Sequence, residues 1–336
     1  MGPEIPMKWR FMAAALAMAG LLLGWSVCKT PLFESKPKPA GSFEQALGIF
    51  EKLRAIESSL PLLPQGASRL LHHGRKTERA FVLLHGLTNC PEQFAKLAAQ
   101  IHAAGHNVIV PRARLAGFRD RLNVKQGLQT AQDLIDQAAA GVDIAAGLGN
   151  RIALVGLSGS AVAAAWMAQN REGMDEVAIL APFFGVYEMP VPLADFAGAI
   201  LSKLPNFYVW WDPDKKESLL GPPHAYPRFG TRCMADCVQL SRNVRTNLSR
   251  KPPQCRRVLF ITTACDIAAN NSLTHSITQN LAAQSGPSEI LAYEFSADLE
   301  IPHDMIDPAQ PGAKTELVYT KLLDLIGGVA TAAPKP

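Results

Sequence analysis

Between about Ser68 and Ile326, short apolar runs rich in β-branched residues alternate with amphipathic stretches, and this alternation limits the possible folds more than any other feature. The runs are RAFVLLHG (79–86), HNVIVPRA (106–113), RIALVGLS (151–158), DEVAILAPFF (175–184), RRVLFITTAC (256–265) and ILAYEFSA (290–297), with a shorter candidate at Ser68–His72. Strands that are apolar at consecutive positions need cover on both faces, and interleaved helices supply it. The pattern therefore predicts an α/β fold with a mostly parallel sheet between two helical layers. Such sheets take ligands at the carboxyl ends of their strands.

The helices are expected at 91–105, 128–147, directly after Ser158, 271–284 and 313–326. Ahead of them, Ser42 is placed to cap a helix over 43–60, where Phe43, Leu47, Phe50, Leu53 and Ile56 recur every three or four positions until Pro61 and Pro64 stop it. With 48% hydrophobic and 18% charged residues, a chain of 336 residues can bury one large core, and residues 42–330 are expected to form a single domain. The formal charge of +4 is spread without a dense basic run interleaved with aromatics, which gives no reason to expect a nucleic-acid partner.

The first 28 residues stand apart. Lys8 and Arg10 precede an uncharged stretch, Phe11–Cys28, rich in Ala, Leu and Met. It is expected to be a signal peptide or an uncleaved membrane anchor, with the remainder exported to the periplasm or beyond. Trp25 and Val27 before Cys28 fit poorly with a lipoprotein signal. Residues 29–41, rich in Pro and Lys, suit an extended, solvated linker.

An exported chain can form disulfides, and Cys233, Cys237 and Cys255 are the expected source of one, while Cys90 and Cys265 lie apart. No second ligand pair or His spacing accompanies these cysteines, so no metal site is expected. One section breaks the alternation: between about 185 and 250 the chain carries seven prolines and the group Phe207, Tyr208, Trp210, Trp211. A connection this long is expected to form a cap over the strand ends, with a helix near Thr231–Asn243 returning to the core and with Trp210 and Trp211 in contact with substrate.

The strongest motif is the run into Gly156, Leu157, Ser158, Gly159 and Ser160, which passes from a buried strand through a tight turn into an Ala-rich helix. A serine at such a turn stands above the sheet as a nucleophile, and amides of the new helix can stabilise a developing oxyanion. Ser160 occupies a position where a third glycine is usual. The earlier strand ends in His85 and Gly86, followed by Leu87 and Thr88, a loop that can present a second amide.

With these residues the chain resembles the α/β-hydrolase superfamily, and within it the bacterial carboxylesterase and monoacylglycerol-lipase-like group, whose oxyanion loop reads His-Gly-x-Thr. The resemblance implies an α/β-hydrolase fold with a cap and a triad in the order Ser, Asp, His. Asp266, which ends RRVLFITTACD, and His303, which follows YEFSADLEIP, fall where it requires them. Leu87 and Gly159 are the implied amide donors, and His85 is expected to hold its loop rather than act as base. Asp298, Glu300 and Asp304 compete less well than Asp266 because none ends a central strand. His72, His73, His102, His106 and His275 are expected in packing or surface roles, as is His224 in the cap. The expected activity is hydrolysis of a small-molecule carboxylic ester through an acyl-enzyme, without metal or organic cofactor. Thioester or amide cleavage by the same triad, and a membrane-tethered binding domain without turnover, are the alternatives.

Overall fold

The computed structural model describes residues 30–216, 221–284, 286 and 288–327, so the apolar segment expected to serve as signal or anchor lies outside the described residues. Its elements in chain order are α1 (Phe43–Ser58), β1 (Arg69–Leu71), β2 (Thr77–Leu84), α2 (Ala95–Ala103), β3 (Asn107–Val110), α3 (Ala131–Leu148), β4 (Gly149–Leu157), α4 (Gly159–Asn170), β5 (Glu176–Leu180), α5 (Val191–Leu201), β6 (Tyr208–Trp210), β7 (Arg228–Gly230), α6 (Thr231–Thr246), β8 (Arg257–Thr263), α7 (Asn271–Ala282), β9 (Glu289–Phe295) and α8 (Thr315–Leu325).

Seven strands form one sheet in the order β1-β3-β2-β4-β5-β8-β9, and only the edge strand β1 runs antiparallel. The two-residue period of a strand divides its side chains between two cores. Ala80, Val82 and Leu84 of β2 join Val177, Ile179, Val258 and Phe260 on the side covered by α3, α4, α6 and α7. Phe81 and Leu83 join Val155, Leu157, Leu180 and Ile261 on the other side, where α2 and α8 pack. The alanines of α4 let it lie between the sheet and the neighbouring helices α3 and α6, and every residue from Gly159 to Gln169 is buried.

Helix starts follow local chemistry. Ser42 caps α1 by accepting the Gln45 amide, and Thr130 and Asp133 form a capping box at α3. That box sets the start of α3 at Ala131, later than the expected Leu128, and a 3-10 turn fills Val124–Leu128. The expected 91–105 helix likewise splits into a 3-10 turn, Pro91–Phe94, and α2.

Two expectations need correction. Residues 30–41 are extended but not a free, solvated spacer. The amides of Lys38 and Ala40 bond the Asp143 side chain and carbonyl at 3.0 and 2.8 Å, Pro31 O accepts from Asn243 Nδ2 at 2.6 Å, and Phe33 packs on the core. Pro37 and Pro39 fall at the alternate positions, where no amide is needed. Nor is there a disulfide among the described residues: Cys90, Cys233, Cys237, Cys255 and Cys265 are all free thiols. Burial pushes Cys90, Cys233 and Cys255 up to about 12, which keeps them protonated.

Candidate active site

Four loops at the carboxyl ends of β2, β4, β8 and β9 bring the site together. After β4 the chain turns so sharply that Ser158 adopts φ 59° and ψ −119°, a left-handed conformation strained for a side-chain-bearing residue. The strain is held by hydrogen bonds: Ser158 N donates to Leu180 O at 2.9 Å, and Ser158 O accepts from Ala161 N and Phe183 N at 3.1 and 3.2 Å. Gly156 is required here, because a Cβ on it would sit 2.6 Å from Ser160 O and 2.9 Å from Ala161 Cα. Ser160, in place of the usual third glycine, is fully buried and donates its hydroxyl to His85 O at 2.7 Å, tying the serine turn to the loop after β2.

Ser158 Oγ lies 2.9 Å from His303 Nε2, and His303 Nδ1 lies 2.7 Å from Asp266 Oδ2. The other carboxylate oxygen of Asp266 accepts the amides of Ala268 and Ala269 at 2.8 and 2.9 Å. Burial would push the Asp266 carboxyl up, but the charge and hydrogen bond of His303 and these two amides hold it below its usual value. Burial alone would lower His303; the charge and hydrogen bond of Asp266, with Asp304 adding to them, carry it above 6.5 instead.

The expected amide donors flank the serine. Leu87 N and Gly159 N form no hydrogen bond with another described residue, and a Cβ built on Gly159 would come within 3.4 Å of Leu87 Cβ, so the two meet in space. Gly86 N is already engaged, donating to Gln93 Oε1 at 2.7 Å. His85 orients the Gly86–Leu87 peptide: its Nε2 accepts from Ala113 N at 3.1 Å, which leaves the proton on Nδ1 to donate to Gly86 O at 2.9 Å. A planar trans peptide then aims the Leu87 N–H the opposite way. Burial lowers His85 to about 4, so the ring is neutral. Gly86 itself is not forced by its protein neighbours, since a Cβ there would approach nothing closer than 3.6 Å.

An apolar cavity of about 530 Å³ opens over Ser158 and His303, bounded by Leu87, Phe183, Met234, Ile267 and Ile301. The cap section between β5 and β8 contains α5, the antiparallel ribbon β6–β7 and α6, of which the sequence pattern gives only α6. Trp211 reaches the cavity and donates Nε1–H to Thr88 Oγ1 at 3.1 Å. Trp210 does not: it pairs with Arg228 across the ribbon and lies under that guanidinium, 5.7 Å from its ring centroid. Neighbouring residues of an extended strand face opposite ways, so the two tryptophans part company.

Sequence reasoning also missed a buried polar group behind the loop that follows β2. Gln93 Nε2 donates to Asp304 Oδ2 at 2.8 Å, and Asn89 Nδ2 lies 3.3 Å from both Asp304 Oδ2 and Asp307 Oδ2. His224 Nε2 meets Asp307 Oδ2 at 2.7 Å, while Tyr226 N donates to Thr88 O at 2.7 Å. The segment around His224 thus fastens the cap to two site loops. Among the described residues there is no cluster of side chains fit to hold a metal ion.

A mostly parallel sheet, a strained serine between strand and helix, and Asp and His on later strand ends define a serine hydrolase of the α/β-hydrolase fold. The chain belongs to the family described as serine aminopeptidase, S33, whose model matches residues 75–282. Among solved structures it is similar to a metagenome-derived lipolytic enzyme, at 18% identity and TM-score 0.59 over 79% of this chain and 98% of that one. It is likewise similar to a monoacylglycerol lipase from Paleococcus ferrophilus, at 15% identity and TM-score 0.53 over 79% and 98% of the two chains. A soluble variant of the monoglyceride lipase from Saccharomyces cerevisiae matches at 13% identity and TM-score 0.55, over 77% and 89%. No curated protein matches the chain.

Proposed function

We propose that the chain hydrolyses carboxylic esters with an apolar acyl group, with Ser158 as nucleophile, His303 as general base and acid, and Asp266 as the group that orients the imidazole. The observation that carries the reading is the unbroken chain from Ser158 Oγ through both nitrogens of His303 to Asp266, with distances of 2.9 and 2.7 Å. His303 takes the Ser158 proton as Oγ attacks the carbonyl carbon. The oxygen that becomes negative is held by the amides of Leu87 and Gly159. Collapse expels the alcohol, which takes the proton from His303, and leaves the acyl group on Ser158. Water then repeats the attack through the same base.

An ester is favoured over an aminopeptidase substrate by the polar groups at the cavity. A free α-ammonium needs a carboxylate to receive it, yet Asp304 is already engaged by Gln93 and Asn89, and Glu300 is exposed and faces Lys314 at 3.9 Å. Thr88, Asn89, Gln93 and Gln310 on the cavity wall are uncharged, and the apolar side chains Leu87, Phe183, Met234, Ile267 and Ile301 suit an acyl chain. Hydrolysis of a graded p-nitrophenyl ester series, compared with aminoacyl p-nitroanilides, tests this reading. Esters should be cleaved and Ser158→Ala should cleave none, whereas faster turnover of the anilides would reverse the assignment.

Phe11–Cys28 supports export and retention at a membrane as part of the same proposal. The cap adds exposed Leu193, Phe196, Leu204, Phe207 and Val209, an apolar surface consistent with a substrate drawn from an amphiphilic phase. No helix among the described residues is long and apolar enough to cross a membrane. Removal of residues 1–29 should release the protein from the membrane fraction with its esterase activity retained; continued sedimentation with membranes would place retention elsewhere.

A further inference from the structure

The buried polar group behind Leu87 has no task in the acyl-transfer scheme above. Gln93 is 2% exposed and Asp304, which follows His303 directly, is held between Gln93 and Asn89. The roles of the Gln93 amide are fixed by its partners: the Gly86 amide can only donate to it and a carboxylate can only accept from it. Buried polar groups of this kind are costly unless satisfied, and when satisfied they fix geometry. Two loops must keep a set relation for acyl transfer, the one carrying the Leu87 N–H and the one carrying the His303 imidazole. Gln93 joins them, with one bond of 2.7 Å to Gly86 N and one of 2.8 Å to Asp304. The chain extends through Asn89 and Asp307 to His224 of the cap.

We infer that Gln93 and Asp304 are positioning residues, which hold the Gly86–Leu87 peptide at a fixed place relative to His303. This rests on the roles proposed above for Ser158, His303 and Leu87. The effect passes through Gly86: if its amide loses the Gln93 acceptor, the donor at Leu87 shifts with it. A misplacement of roughly 1 Å is enough to cost about 100-fold in rate.

Gln93→Leu keeps the bulk and removes both bonds. It should lower kcat by about 30- to 100-fold and leave KM within about threefold, because Gln93 borders the cavity with only 2% of its surface exposed and the leucine keeps its bulk. A kcat within threefold of the parent, or a loss confined to KM, overturns the inference. Gln93→Glu keeps the acceptor for Gly86 but sets a second carboxyl against Asp304, and the two stay together only while they share a proton. The titratable groups around this pair are His303 and Asp307 on the loop of Asp304, His224 from the cap and Tyr319 from α8. Burial and the charge of Asp307 already push Asp304 up to about 6. The ratio of kcat/KM for Gln93→Glu to that of the parent should therefore rise as pH falls from about 8 to about 5.5. A residue that only packs leaves this ratio flat, and a flat ratio overturns the inference even if Gln93→Leu fails to fold. A parent that neither turns over esters nor reacts with a fluorophosphonate overturns the hydrolase reading and this inference together; an active parent with a flat ratio overturns this inference alone.

Discussion

The two ends of the central sheet both bury charge, and they do so to opposite effect. At the amino ends of the strands, Arg79 lies 2.8 Å from Glu176, Arg257 lies 3.4 Å from the same carboxylate, and the two arginines also take carbonyls of Leu325, Ile326 and Gly327 just after and at the end of α8. Burial pushes Arg79 down and Glu176 up despite their attraction, so desolvation is the larger influence on both. Arg79 and Glu176 are both enclosed by protein, while Arg257 sits at the rim of the cluster and also meets the exposed Glu289. At the carboxyl ends, Asp266 is as deeply buried, but its partner His303 is part-exposed to a cavity and its charge is used to raise an imidazole that faces Ser158. The same physics makes a lock where both partners are enclosed and a reactive centre where one partner opens on a cavity.

If that contrast holds, substitutions at the two ends should separate chemistry from stability. The largest effect is expected for His303→Ala, a loss of roughly 10⁵- to 10⁶-fold in kcat with the thermal midpoint nearly unchanged. Asp266→Asn should lose about 10⁴-fold, because the amide favours the wrong tautomer of the imidazole. At the opposite end Arg79→Met removes one partner and leaves Glu176 short of its charge balance, which should destabilise the fold by about 3–5 kcal/mol. The kcat of the fraction still folded should equal that of the parent. Denaturant unfolding together with active-site titration checks both statements, and a fall in the kcat of folded Arg79→Met would break the comparison.

A smaller effect sharpens the pH behaviour. His303 must be neutral to act as base, and its folded value lies above 6.5, so activity should be lost as pH falls through a midpoint above 6.5. Asp304→Asn removes one of the charges that raise it and should move that midpoint to lower pH. The smallest expected effects lie in the cap and the serine turn. Trp211→Ala should alter preference among ester chain lengths by several-fold with little loss of stability, since the ring is half-exposed at the cavity. Trp210→Ala should leave the preference unchanged. Ser160→Ala should cost about 1 kcal/mol of stability through the lost bond to His85 O, and less than tenfold in kcat.

The sheet was legible in the sequence because its strands are long, apolar and evenly interleaved with helices, and Ser158 because strand, turn and helix adjoin within ten residues. Asp266 and His303 fall where the resemblance to the α/β-hydrolases places the acid and the histidine, in the order Ser, Asp, His. The cap was not legible beyond α6. Strands of three residues, such as β6 and β7, carry no usable period, and prolines interrupt the pattern on either side. Trp210 ends β6 and Trp211 follows it, and adjacent residues of an extended chain face opposite ways, so only one of the two reaches the cavity. Cys233 and Cys237 face inward on one helix, a packing role that spacing alone does not distinguish from pairing. The group of Gln93, Asn89, Asp304, Asp307 and His224 comes from three separate segments and leaves no local pattern. Its one sequence hint is a pair of amide side chains, Asn89 and Gln93, close behind Leu87 in the loop after β2.

Activation of Ser158 by His303 can be read out by covalent labelling with a fluorophosphonate measured across pH. One adduct per chain is expected, mapped to Ser158, forming at a rate that falls as pH drops through a value above 6.5 and that is nearly abolished in His303→Ala. A folded protein that takes no adduct, or one labelled at another residue, would contradict it.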